Sequence, residues 1–99
     1  MKRSTRQDIL STLQKLKKEV ENDYSVKTIG LFGSFARNEE TGQSDIDLLV
    51  EFSQPVGFVT FMRLEYFLSE RLKRPVDLVS SDSLKPVIRQ DVLAEVIYV

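Results

Sequence analysis

The sequence predicts an α/β fold in which a small mixed β-sheet is flanked by helices. Apolar residues recur at helical spacing in residues 4–22 and 58–73. Residues 45–52 instead alternate between apolar and polar side chains, and Val26–Phe32 contains several β-branched residues, as strands do. No linker, repeat or low-complexity segment interrupts the chain, so we expect residues 1–99 to form a single domain.

Two long helices supply much of the expected core. The first, over residues 4–22, has Ser4 or Thr5 available as an N-cap. Its apolar row consists of Ile9, Leu13, Leu16 and Val20. The second covers residues 58–73 after a break at Pro55-Val56-Gly57. We expect its whole apolar stripe to be buried, namely Phe58, Phe61, Leu64, Leu68 and Leu72.

The C-terminal part of the chain predicts a final helix. Ser83 can cap it, and Pro86 would lie in its first turn, where proline is well tolerated. Its apolar row would be Leu84, Ile88, Val92 and Val96. The last four residues, VIYV, fit either a helix or a strand.

The order of the predicted elements indicates how the strands pair. A third strand is expected over Pro75–Ser80. It is joined to the strand at residues 45–52 through a helix, and such a crossover normally places two strands parallel. The strand Val26–Phe32 is separated from residues 45–52 by only about a dozen residues, which favours an antiparallel pair.

Composition excludes several kinds of chemistry. The chain has neither cysteine nor histidine, which rules out disulfides, thiolate and imidazole metal sites and a Ser-His-Asp triad. A net charge of −1 disfavours autonomous binding to long nucleic acid, but it does not exclude a small nucleotide. No stretch approaches the ~20 apolar residues that a membrane span needs. The first residues do not resemble a signal peptide, so we expect a cytoplasmic protein.

Three aspartates are expected to meet at one edge of the sheet. Asp45 and Asp47 lie at the start of the second strand and on the same face, because they are two residues apart. Asp77 lies at the start of the third strand, out of phase with its core-facing neighbours. If the first strand is antiparallel to the second, Gly33-Ser34 arrives at the same edge.

Such a group of residues suits a metal and a phosphate. Neighbouring carboxylates repel one another, and Mg²⁺ relieves this repulsion because it prefers carboxylate, water and phosphate oxygens. Asp45 and Asp47 could bridge two Mg²⁺ ions. The Gly33-Ser34 turn would offer backbone amides to an anion, and Arg37 would add a fixed positive charge.

The segment GSFARNEETGQSDIDLLV resembles the signature of the DNA polymerase β-like nucleotidyltransferase superfamily. In that signature Gly-Ser is followed by ten residues and Asp-x-Asp, as Gly33-Ser34 is followed here by Asp45-Ile46-Asp47. The third family carboxylate matches Asp77. In its short length the chain resembles the minimal nucleotidyltransferases, the antitoxins of type VII two-gene systems whose toxin is a HEPN-domain RNase. Asn38 replaces the glycine of many relatives, with a small expected effect on the loop.

The resemblance implies a mechanism and a partner. Asp45, Asp47 and Asp77 would hold Mg²⁺, and Asp77 would also help to deprotonate the acceptor. Gly33 and Ser34 would hold the β- and γ-phosphates of ATP. AMP would be transferred to a hydroxyl, expected to be tyrosine, of the cognate HEPN toxin.

Other interpretations remain open at this point. Taken singly, Gly-Ser after a strand is a common turn, and Asp-x-Asp on a strand is often a solvated face. Arg37 is as consistent with a surface arginine as with a phosphate ligand. The chain could be a non-catalytic antitoxin that neutralises its partner by binding, or a small-molecule nucleotidyltransferase, although we expect 99 residues to leave no room for the acceptor-binding domain of the latter.

Overall fold

The computed structural model describes residues 5–99 and has a four-stranded mixed sheet at its centre. The strands are β1 (Val26–Phe32), β2 (Ile46–Phe52), β3 (Val76–Ser80) and β4 (Ile97–Tyr98). The helices are α1 (Arg6–Tyr24), α2 (Gly33–Ala36), α3 (Phe58–Leu72) and α4 (Pro86–Glu95). A single 3₁₀ turn, Ser81–Ser83, follows β3. The predicted fold class, a small mixed sheet with flanking helices, is confirmed.

The sheet has the strand order β3-β2-β1-β4. The strands β1 and β2 are antiparallel, and β2 and β3 are parallel, both as predicted. The C-terminal residues, whose sequence left helix and strand open, form a short strand antiparallel to β1, with Gly30 opposite Tyr98. A Cβ atom at Gly30 would come within 2.6 Å of Val96 Cγ2, so the absence of a side chain there lets the C-terminal segment lie against β1.

A capping box fixes the start of α1. The backbone amide of Asp8 donates to Thr5 Oγ1 at 3.2 Å, and the Thr5 amide donates to Asp8 Oδ2 at 3.1 Å. These two bonds satisfy amides that would otherwise lack partners in the first turn. Thr5 is therefore the N-cap, and Ser4, the other predicted candidate, lies outside the described residues.

The core lies between the sheet and the pair α1 and α3. The predicted row of α1 is completely buried. From β2, Ile46, Leu48 and Val50 contribute to the same core, which accounts for the alternation in the sequence. Burial of each such side chain contributes roughly 1.5–3 kcal/mol relative to exposure.

Two of the predicted apolar rows, those of α3 and α4, are only partly buried in the structure. Phe58 is 76% exposed, because it is the first residue of α3 and precedes the part of the helix that packs on the sheet. The buried residues of α3 are Leu64, Leu68 and Leu72, with Phe61 packed against the core. In α4 only Val92 is buried, and Ile88 is 52% exposed.

The predicted cap of the final helix is also wrong. Ser83 belongs to the 3₁₀ turn, and its hydroxyl donates to the carbonyl of Ser80 at 2.8 Å. That bond engages the side chain within its own turn. The residue before α4 is Lys85, in extended conformation, and Pro86 occupies the first turn as predicted.

Side chains from α3 cover the outer edge of β3. The amide of Val76 donates to Ser69 Oγ at 3.1 Å, and the amide of Leu78 donates to Glu65 Oε2 at 3.0 Å. Because β3 is at the end of the sheet, these amides have no neighbouring strand. The helix therefore supplies the acceptors that a fifth strand would otherwise offer.

Within residues 5–99, no helix combines the length and apolar character that crossing a bilayer requires.

The end of α3 can be tested directly, because its C-cap residue has a left-handed backbone conformation. Lys73 has a φ of 57° at the C-cap, where glycine is the preferred residue. We expect Lys73→Gly to increase the free energy of unfolding by about 0.5–1 kcal/mol. Lys18→Gly, the same change in the exposed interior of α1, should decrease it by about 1 kcal/mol. Urea denaturation of both variants measures the difference, and destabilisation by Lys73→Gly would contradict the assignment.

Candidate active site

The end of β1 and the starts of β2 and β3 meet at one edge of the sheet. Phe32, the last residue of β1, pairs with Asp47, and Asp47 in turn pairs with Asp77 of β3. Asp45 immediately precedes the first residue of β2. The antiparallel and parallel pairings thus bring together residues that are far apart in the sequence.

Gly33 and Asp47 fit together so closely that no other residue can replace Gly33 without movement. Gly33 has a φ of 78°, which residues with a side chain rarely adopt. A Cβ atom built on it would overlap Asp47 Oδ2 and lie 2.9 Å from Asp47 Cγ. The glycine that follows β1 is therefore required both by the turn into α2 and by the neighbouring carboxylate.

The carboxyl group of Asp47 is a weaker acid than an ordinary aspartate. Its pKa is raised from 3.8 to about 6, first because the side chain is partly buried and then because of the charges of Asp77 and Asp45. Glu95 raises it further, and only Arg37 opposes these effects. The three predicted aspartates therefore act on one another electrostatically.

Their side chains are not arranged as a finished metal site. Within the described part of the chain, no three acidic side chains are placed to hold one ion together. Asp45 and Asp77 are exposed, whereas Asp47 is partly buried. Exposed side chains change rotamer readily. The backbone register thus fixes the positions of the three residues, and the two exposed carboxylates can still reorient.

The short helix α2 carries the other predicted residues. Gly33 is its first residue and is buried, and Ser34 follows it, partly buried. Asn38, just after the helix, has a φ of 58°. This left-handed conformation favours glycine and is tolerated by asparagine, so the backbone at Asn38 would accept either residue.

Arg37 is near the aspartates but is bonded to other carboxylates. Its Nε donates to Glu39 Oε1 at 2.8 Å, and its Nη1 donates to both carboxylate oxygens of Glu95 at 3.0 and 3.1 Å. These two glutamates, Glu39 first, raise the pKa of the guanidinium. The predicted phosphate ligand thus has two intramolecular partners.

Glu95 is the residue of this site that the sequence analysis missed. It is the last residue of α4, and its Oε2 also accepts the amide of Gly33 at 2.5 Å. The sequence contains no motif that marks it. Its position depends on β4, which turns the end of α4 towards β1, and β4 could not be distinguished from helix in the sequence.

Known proteins resemble this chain over nearly its whole length. The nucleotidyltransferase domain family matches residues 13–99. The protein adenylyltransferase MntA of Thermococcus cleftensis is 42% identical over 95 residues, which cover 96% of each chain.

Two solved structures have the same fold. One, described as a minimal nucleotidyltransferase, superposes with a TM-score of 0.84 at 29% identity and covers 98% of both chains. A chain of a toxin-antitoxin crystallised with AMP-PNP superposes with a TM-score of 0.70 at 25% identity, covering 96% of this chain and 72% of that one. The chain therefore belongs to the nucleotidyltransferase domain family, within the group of minimal nucleotidyltransferases that includes protein adenylyltransferases.

Proposed function

We propose that this nucleotidyltransferase uses Mg²⁺ and ATP to transfer AMP to a tyrosine hydroxyl of a cognate HEPN toxin, and thereby acts as an antitoxin. The observation that carries the proposal is the edge at which Gly33 contacts Asp47 and Asp47 pairs with Asp77. A glycine turn at the start of a helix can bind a phosphate, and two aspartates on adjacent strands beside it can bind Mg²⁺. It is assembled here from three separate parts of the chain.

The residues at this edge fit a divalent cation. Asp45, Asp47 and Asp77 offer only carboxylate oxygens, the ligands that Mg²⁺ prefers. The raised pKa of Asp47 reflects partial burial and repulsion that a cation would offset. We assign all three aspartates as the residues that would hold Mg²⁺, with two ions expected. When bound, Mg²⁺ supplies positive charge for the triphosphate and for the leaving pyrophosphate.

The remaining residues would position the nucleotide and the acceptor. The amide of Gly33 and the hydroxyl of Ser34 would bind the β- and γ-phosphates, with Arg37 nearby. Asp77 would accept the proton of the acceptor hydroxyl. The oxygen then forms a bond to the α-phosphorus, the bond between that phosphorus and the bridging oxygen breaks, and pyrophosphate leaves. Orientation and charge neutralisation account for the acceleration.

A protein acceptor is favoured by the relatives. The Thermococcus cleftensis protein is named a protein adenylyltransferase, and the structure that contains AMP-PNP is of a toxin-antitoxin. The HEPN toxin and its tyrosine follow from the resemblance of this short nucleotidyltransferase chain to the antitoxin group. Neutralisation by binding alone is the alternative that the experiments must separate.

Loss of one central carboxylate should abolish transfer. We expect Asp47→Asn to lower the rate of AMP transfer by at least about 100-fold, because the carboxylate that contacts Gly33 and whose residue pairs with Asp77 is lost. Glu51→Gln is the matched control, since Glu51 lies on the same face of β2 at its other end. Transfer of label from α-labelled ATP to the purified toxin measures both variants. Wild-type transfer by Asp47→Asn would contradict the catalytic assignment.

Although Asp47→Asn should lose activity, it should increase the stability of the fold. Because the pKa of folded Asp47, about 6, lies above its ordinary value of 3.8, the folded chain binds this proton more tightly. Its contribution to stability is therefore present at pH 3.8 and below, and it is lost as the pH rises through 6. A full shift corresponds to about 3 kcal/mol, but solvent screens this partly exposed group, so we expect roughly 1 kcal/mol.

Thermal melts in EDTA between pH 4 and pH 8 measure this effect as a difference between two proteins. At pH 8, Asp47→Asn should melt about 4–8 °C above the wild type, and the difference should diminish towards pH 4. Added Mg²⁺ should raise the melting temperature of the wild type more than that of the variant. A pH-independent difference would show that ionisation of Asp47 is not its cause.

Neutralisation in cells separates modification from occlusion. With the chain and its toxin co-expressed, we expect an adduct of AMP less water on a toxin tyrosine by mass spectrometry. The Asp45→Asn, Asp47→Asn double variant should give no adduct and no protection. Full protection by a double variant that is expressed and bound to the toxin would favour neutralisation by binding.

A further inference from the structure

The amide that the proposed function assigns to the nucleotide is already bonded to a carboxylate of this chain. Glu95 Oε2 accepts from the Gly33 amide at 2.5 Å, and both Glu95 oxygens accept from Arg37 Nη1. One glutamate thus engages two of the three groups expected to contact the triphosphate. Hydrogen bonds of this kind, with an ionised acceptor, are stronger than those between neutral groups.

A phosphate and this carboxylate cannot use the same donors at once. Both are anions, and the Glu95 side chain is 24% exposed, so water screens its charge only in part. Its charge also reaches the aspartates, since Glu95 contributes to the raised pKa of Asp47. Bound cations would offset the charges of the aspartates, but Glu95 would still accept the hydrogen bond of the Gly33 amide that a phosphate would need.

The contacts around Glu95 place its side chain beside the Gly33 amide but do not fix it there. The residues after it form β4, which pairs with β1, and the lack of a side chain at Gly30 lets Val96 approach. These contacts direct the end of α4 towards Gly33. The helix itself is lightly packed, because Val92 is its only buried residue within the described chain. Rotation of one side chain, or a small shift of the helix end, would free the amide.

We propose that Glu95 is an internal competitor of the nucleotide, whose carboxylate occupies the position of a phosphate and must be displaced when ATP binds. This inference rests on the proposed function. It assigns Glu95 a role in setting nucleotide affinity and in the release of pyrophosphate, because the returning carboxylate competes with the product as it does with the substrate.

The test compares two glutamates that share Arg37. Glu95→Gln removes the charge that lies on Gly33, whereas Glu39→Gln removes the other carboxylate bonded to Arg37, which makes no bond to Gly33. Calorimetric titration with AMP-PNP and Mg²⁺, and with inorganic pyrophosphate and Mg²⁺, gives the dissociation constants, and AMP transfer gives KM and kcat separately.

We expect Glu95→Gln to bind both ligands about tenfold more tightly and to show a lower KM for ATP with stronger inhibition by pyrophosphate. Glu39→Gln should change either affinity by less than about twofold, because its ion pair is exposed. Glu95→Asp keeps the charge on a shorter side chain and should give an intermediate gain, so it serves if Glu95→Gln does not fold.

Other results would overturn the inference. Unchanged affinity in Glu95→Gln, or an equal gain in Glu39→Gln, would mean that Glu95 does not compete at the phosphate position. Weaker binding and a raised KM would instead make Glu95 a positioning residue for Arg37. If the wild type transfers AMP and Glu95→Gln shows no gain, only this inference fails. If the wild type neither binds AMP-PNP nor transfers AMP, the proposed function fails as well.

Discussion

The contact between Gly33 and Asp47 is the constraint on which the active edge of this molecule depends. It exists because β1 and β2 are antiparallel in a register that places Phe32 opposite Asp47. A shift of one residue would turn the carboxylate to the core side and bring Leu48 to the turn. The buried alternation of β2 resists such a shift, so the hydrophobic core determines where the carboxylate lies.

Stability and function oppose one another at this edge. Three aspartates and Glu95 place negative charges at this edge of the sheet. The positive charge of Arg37 lowers the pKa of Asp47, whereas the other carboxylates raise it. The core offsets this repulsion: Leu31, Ile46 and Leu48 are all completely buried close by. A rigid apolar sheet therefore supports a cluster of charges that would not hold its shape alone.

Much of this arrangement could be predicted from the sequence, because it follows from local rules. Alternation identified β2, and the length of the connections gave the direction of each strand. Those two facts suffice to bring Asp45, Asp47, Asp77 and Gly33 to one edge. What could not be predicted depends on tertiary packing. The exposure of Phe58 is set by where α3 meets the sheet, and the role of Glu95 is set by the two-residue strand that follows it.

The hydrogen bonds from β3 to side chains of α3 affect how readily folded molecules associate at high concentration. An unpaired strand edge is a template on which another chain can add, and repeated addition leads to fibrils. Here the outward amides of Val76 and Leu78 in β3 are bonded to Ser69 and Glu65, and the strand at the opposite edge has only two residues. Both ends of the sheet thus offer little to an incoming strand, which guards the folded chain against amyloid-like association.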